Sequence, residues 1–145
     1  MSAPHYTETG RHVFRLANDE AAKCNSDFID TEHVLLSLLS FDDCSAVQIL
    51  RKLDFDVDVI RHQTTHDANI GDIASTVLRR PMTLAAKKLV EYTMQEAGGL
   101  EWGTAHILLA CQRSDGVAGD VLRNAGVTAE EVRTAMEAPE IKELE

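Results

Sequence analysis

The chain is poor in the features that mark catalytic, metal-bound or membrane proteins. Its three cysteines, Cys24, Cys44 and Cys111, are an odd number at wide spacing with no CxxC pair, which argues against a disulfide framework and a zinc knuckle. Reduced, mostly buried thiols are expected. No apolar run approaches the ~20 residues that span a bilayer, and Met1-Ser2-Ala3-Pro4-His5 lacks the basic and apolar stretches of a secretory leader. A cytoplasmic location without membrane contact follows. There is no G-x-x-x-x-G-K-[ST] loop and no Gly-Lys pair to cradle nucleotide phosphates, and no G-x-S-x-G or H-E-x-x-H run. Neither catalysis nor a cofactor nor a resident metal is expected. Basic residues are scarce: 14 Lys and Arg stand against 24 Asp and Glu, a net charge of −10. Such a chain repels a phosphate backbone, so nucleic acid is not an expected partner.

What is present is a repeat. Thr31-Glu32-His33-Val34-Leu35-Leu36 returns as Thr104-Ala105-His106-Ile107-Leu108-Leu109. The match extends upstream, with Thr7, Val13, Glu20 and Ala21 answered by Thr83, Leu89, Glu96 and Ala97. Downstream, Ala46, Ile49, Leu50 and Arg51 are answered by Ala118, Val121, Leu122 and Arg123. Each copy reads as four helices. Thr7 is expected to cap the first, with Val13, Leu16, Ala17 and Ala21 inward, and Thr31 the second, with Val34, Leu35, Leu38 and Leu39 inward. A third helix spans about 45–53 and a fourth follows Asp56. In the second copy, Thr83, Thr104 and Thr128 are the expected caps, and Gly126 is placed for a left-handed helix end. The fold class is therefore all-α: two tandem four-helix repeats, about 6–62 and 81–137, packed about a pseudo-two-fold axis into one domain. Residues 63–80 form a connector with room for one short helix, and 138–145 a charged, frayed tail.

These residues resemble the Clp N-terminal repeat of the Hsp100 unfoldases ClpA, ClpC and ClpB. The likeness rests on Asp19-Glu20-Ala21, on Asp30-Thr31-Glu32-His33-Val34-Leu35-Leu36 and on Gly116-Val117-Ala118-Gly119-Asp120-Val121-Leu122, and it covers about 6–137. It implies a non-enzymatic module that docks protein substrates or adaptors for a Clp AAA+ ATPase. A free-standing accessory or decoy acting on a Clp complex in trans is the alternative. A metal-dependent enzyme built on His62 and His66, at i, i+4 spacing without a third ligand, is the remote one.

The resemblance further implies a phosphoarginine-type site, in which Glu32 receives the guanidinium and helix-start amides with the Thr7 hydroxyl take the phosphate. The second copy has Ala105 where the family has Glu, so its site is expected to be lost. Asp30 replaces a glycine of the family, and Thr9-Gly10 replaces Arg-Ala. The plain alternative is that Glu32 serves only the helix dipole, worth ~0.3–1 kcal/mol. His33 and His106, one per copy, are expected to be structural.

Overall fold

The computed structural model describes residues 6–143. Among them are eight helices and no strand: α1 (Glu8–Lys23), α2 (Thr31–Leu39), α3 (Ser45–Lys52), α4 (Val57–Asp67), α5 (Leu84–Ala97), α6 (Thr104–Arg113), α7 (Val117–Asn124) and α8 (Ala129–Met136). Helices this short are marginal alone, and four of them are started by a side-chain cap within three residues. The Thr7, Thr83 and Thr128 hydroxyls accept from the N–H groups of Gly10, Ala86 and Glu131, and Asp56 caps α4 through Asp58 and Val59. Gly126, at φ +94°, turns the chain between α7 and α8 in a conformation that a side chain would strain.

Two of the expected caps are corrected. Thr31 and Thr104 are the first helical residues, and Asp30 and Gly103 hold the cap positions. The reason is tertiary, because each threonine hydroxyl serves the opposite repeat. Thr31 Oγ1 accepts from Ala118 N (3.3 Å), and Thr104 Oγ1 accepts from Ala46 N (3.1 Å).

That reciprocity runs through the fold. Thr7 N donates to Trp102 O and Thr83 N donates to Ile29 O, both at 2.9 Å, within two isolated bridges, Tyr6 with Trp102 and Ile29 with Met82. These two backbone bonds, and the two threonine hydroxyl bonds above, are mates with the roles of the repeats exchanged, as a pseudo-two-fold axis requires. One buried cluster draws on all eight helices. Its centre is α2, whose nine residues are all buried, against α6, where Ile107, Leu108, Leu109 and Ala110 are sealed. In α1, Val13, Ala17 and Ala21 are buried as expected, while Leu16 is half-buried.

The connector and the tail differ from expectation. Helix α4 continues to Asp67, and residues 68–80 contain no helix. Side chains and backbone from the end of α1 pin the connector instead. Gly71 N donates to Cys24 O (2.9 Å), Ser75 Oγ to Asp27 Oδ1 (2.7 Å) and Arg80 Nε to Ser26 O (2.6 Å). Ile73 and Leu78 remain 82% and 88% exposed, so the apolar residues that suggested a helix have no face to bury. The tail, as far as Glu143, is docked rather than frayed. Lys52 meets Glu140 (2.6 Å), Gln48 Nε2 donates to Lys142 O (2.6 Å), and Glu143 reaches the start of α6. Residues 144 and 145, and the segment 1–5 read for a leader, lie outside the described residues.

Candidate functional site

The candidate residues sit at two helix starts related by the pseudo-axis, Asp30 to His33 on α2 and Gly103 to His106 on α6. At both, a histidine folds back on the cap: Asp30 N donates to His33 Nδ1 (2.9 Å) and Gly103 N to His106 Nδ1 (3.0 Å). An accepting Nδ1 is an unprotonated one, and burial pushes both imidazoles below their usual range. The recurrent histidine is thus a structural clasp on each helix start.

Glu32 is 1% exposed. Its Oε2 accepts from Asn69 N of the connector at 3.3 Å, and its buried Oε1 has no hydrogen-bond partner among the described residues. Burial pushes its carboxyl above the usual range and the charge of Asp30 adds to this, against the pull of its own backbone N–H and that of Asn69. A carboxylate held at a helix start but left half-satisfied is a site that a cationic donor would complete. The one hydrogen bond that reaches its side chain from the connector is long.

Thr7 does not share that site. It caps α1 at the far end, whereas Cys24, just past the other end of α1, feels the Glu32 charge. Sixteen helical residues separate the two ends by about 24 Å. The hydroxyl facing the α2 start belongs to Thr83, which donates to Asp30 Oδ1 (2.9 Å). Thr7 faces the α6 start, beside Ala105. The repeat offset pairs Thr7 with Thr83 in sequence, but no signal in the sequence says that each reaches across to the other repeat's helix start.

At the α6 start, Ala105 is buried and offers no carboxylate. One comes from a residue that sequence reasoning assigned to the frayed tail: Glu143 accepts from Thr104 N at 2.6 Å and from Thr104 Oγ1 at 2.8 Å. Alongside lies an apolar cavity of about 350 Å³ lined by Tyr6, Met94, Leu100 and Trp102. The Trp102 ring, held by Tyr6 and Phe14, also accounts for Gly10, since a Cβ there would stand 3.1 Å from it.

The remaining candidates stay apart. His62 and His66 are exposed on α4, their Nδ1 atoms engaged by Asp58 O and Asp67 Oδ1. Among the described residues no three His, Cys, Asp or Glu side chains come together in a group that could hold a metal. Cys24, Cys44 and Cys111 are buried free thiols, and burial raises all three above the usual range. No helix among the described residues is long and apolar enough to cross a membrane.

Comparison with known proteins bears on the family and the fold. A family model described as the Clp repeat (R) N-terminal domain matches residues 5–125. A probable ATP-dependent Clp protease ATP-binding subunit of Chlamydia pneumoniae is 35% identical over 144 residues, 97% of this chain and 17% of that protein. The negative regulator of genetic competence ClpC/MecB of Bacillus subtilis is 34% identical over 137 residues, 92% of this chain and 17% of its own length. The chain thus spans about a sixth of the length of these relatives. Among solved structures, the Hsp104 N-terminal domain of Candida albicans superposes with a TM-score of 0.72 at 14% identity, covering 95% of this chain and 93% of that one. The ClpD N-terminal domain of Arabidopsis thaliana does so with a TM-score of 0.65 at 20% identity, covering 90% and 91%. These two likenesses concern the fold.

Proposed function

We propose, on the premise that this chain belongs to the Clp N-terminal repeat family, that it is a non-catalytic cytoplasmic docking module. In this reading it presents protein substrates or adaptors to a Clp AAA+ unfoldase. The observation that carries the reading is the buried, half-satisfied Glu32 carboxylate at the start of α2, which takes one long hydrogen bond from a connector N–H. A guanidinium-type group, such as phosphoarginine on a marked protein, would displace Asn69 and give Oε1 the donor it lacks. The hydroxyl on that side is Thr83. Thr7 therefore drops out of the proposed site.

Asp30 sets a limit on the phosphate, because its carboxylate already takes Thr31 N (2.8 Å) and the Thr83 hydroxyl. Recognition rests on the cationic half of the ligand, with the phosphate directed outward. The second copy, with Ala105, contributes no cation site.

The test is retention of a protein phosphorylated on arginine by the immobilised chain, beside the same protein unphosphorylated. The expected result is selective retention, lost in Glu32→Ala while that variant melts no lower than the parent. Equal retention of both proteins, or retention by Glu32→Ala, would overturn the reading.

A further inference from the structure

At the start of α6 the chain binds a carboxylate of its own. Glu143 Oε1 accepts from Thr104 N (2.6 Å) and from Thr7 Oγ1 (3.2 Å), while Oε2 accepts from Thr104 Oγ1 (2.8 Å) and Ser45 N (2.9 Å). Three helix starts, those of α1, α3 and α6, thus aim two backbone N–H groups and two hydroxyls at one group. Helix N-termini carry partial positive charge and unsatisfied donors, so their convergence favours an anion.

Repeat 1 holds a carboxylate at the matching place by a different route. Asp30 Oδ1 accepts from Thr31 N (2.8 Å) and Thr83 Oγ1 (2.9 Å), the repeat mates of Thr104 and Thr7. The mate of Asp30 is Gly103, which has no side chain, and a Cβ there would stand 2.8 Å from Glu143 Oε1. The anion that repeat 1 carries in its own helix cap reaches repeat 2 from the tail, 40 positions later in the chain.

We infer that residues 138–143 are a self-docked latch, and that the starts of α1, α3 and α6 form a carboxylate site which an acidic side chain of a docking protein segment enters by displacing Glu143. The other tail contacts, Lys52 with Glu140 and Gln48 with Lys142, lie on exposed surface, where each contributes little. Ile141 packs half-buried against the core cluster, and Glu143 alone ties the segment to helix starts; the latch is exchangeable. This site lies at the opposite end of α1 from Glu32 and does not depend on what Glu32 binds.

Amide hydrogen exchange on the full chain tests the inference. In Glu143→Ala the Ser45 and Thr104 amides are expected to exchange at least ~10-fold faster than in the parent, while those of Leu108 and Leu109 in the body of α6 are unchanged. A synthetic peptide of residues 137–145 is then expected to shift the Ser45 and Thr104 amides of Glu143→Ala, and to bind the parent about tenfold more weakly, because the tethered Glu143 competes at high effective concentration. The same peptide carrying alanine at position 143 is expected to bind neither. G103D gives a second readout. Gly103 and Asp30 both have extended backbone (φ −137° and −113°), so the new carboxylate rebuilds the cap of repeat 1. Thr104 is then expected to stay protected while Ser45 is released, and the peptide to lose its site. Equal exchange of Ser45 and Thr104 in the parent and Glu143→Ala, or a peptide that binds both equally or neither, would overturn the inference.

Discussion

Replacing Glu32 by glutamine is expected to stabilise the fold at neutral pH and to do nothing in acid. Glu32 is 1% exposed and its Oε1 has no partner among the described residues. A buried polar atom without a partner costs about 1–3 kcal/mol, more when the group is charged. Glutamine keeps an oxygen for Asn69 N and leaves a neutral amide where the partnerless Oε1 stood, so the gain is the removal of a buried charge, less ~0.3–1 kcal/mol of favourable interaction with the α2 dipole. The net expectation is about 1 kcal/mol, a rise in Tm of roughly 2–4 °C for a chain of this size. Burial raises the Glu32 carboxyl above its ordinary 4.5 in the folded state. The stability associated with a neutral Glu32 is therefore fully present below that ordinary value and lost as pH rises through the raised one. The gap between variant and parent must widen as pH rises from the ordinary value, be full above the raised one and close near pH 4, while all other titrations cancel in the difference. Thermal unfolding of both proteins by calorimetry across this range is the assay. A variant that melts lower than the parent at pH 7, or a gap that persists unchanged in acid, would refute the reasoning.

Three further outcomes follow from the geometry. Glu96 accepts from Arg113 (2.8 Å) and from both Nε and Nη2 of Arg133 (3.0 Å), and these guanidinium groups hold its carboxyl below the usual range. Glu96→Gln is expected to cost about 1 kcal/mol after allowance for the exposed arginines. Because the folded value is depressed, that cost, read by urea unfolding, is full above pH 4.5 and vanishes as pH falls through the folded value. His33 and His106 are expected to be neutral with the proton on Nε2 at pH 6, visible in imidazole nitrogen shifts, since each Nδ1 accepts from a backbone N–H. Gly10→Ala is expected to lower stability by about 1–3 kcal/mol through overpacking against Trp102, with a shift in tryptophan fluorescence as a second readout.

The helical content and the duplication were legible because they are written in local patterns. Hydrophobic residues at helical spacing, threonines three residues before an N–H to cap, and a glycine at a left-handed turn each act within a few residues, as at Thr7, Thr83, Thr128 and Gly126. Comparing the halves also exposed Glu32 facing Ala105 across the repeat. The crossing of the halves was not legible. Thr31 and Thr104 look like caps in isolation, yet their hydroxyls serve α7 and α3, 87 and 58 positions away. The same exchange moves Thr7 from the Glu32 side to the Ala105 side. The tail misled for a related reason: a charged segment with little to bury reads as frayed, but Glu143 docks through hydrogen bonds to helix starts, which leave no hydrophobic pattern.

The central claim is that two structurally parallel halves are chemically unequal, with one cation-receiving site on α2 and none on α6. Calorimetric titration of the intact chain with phosphoarginine measures this directly. One site per chain, abolished by Glu32→Ala and untouched by Thr7→Ala at matched stability, is the predicted result. Two equivalent sites, no binding, or a single site that survives Glu32→Ala would contradict it.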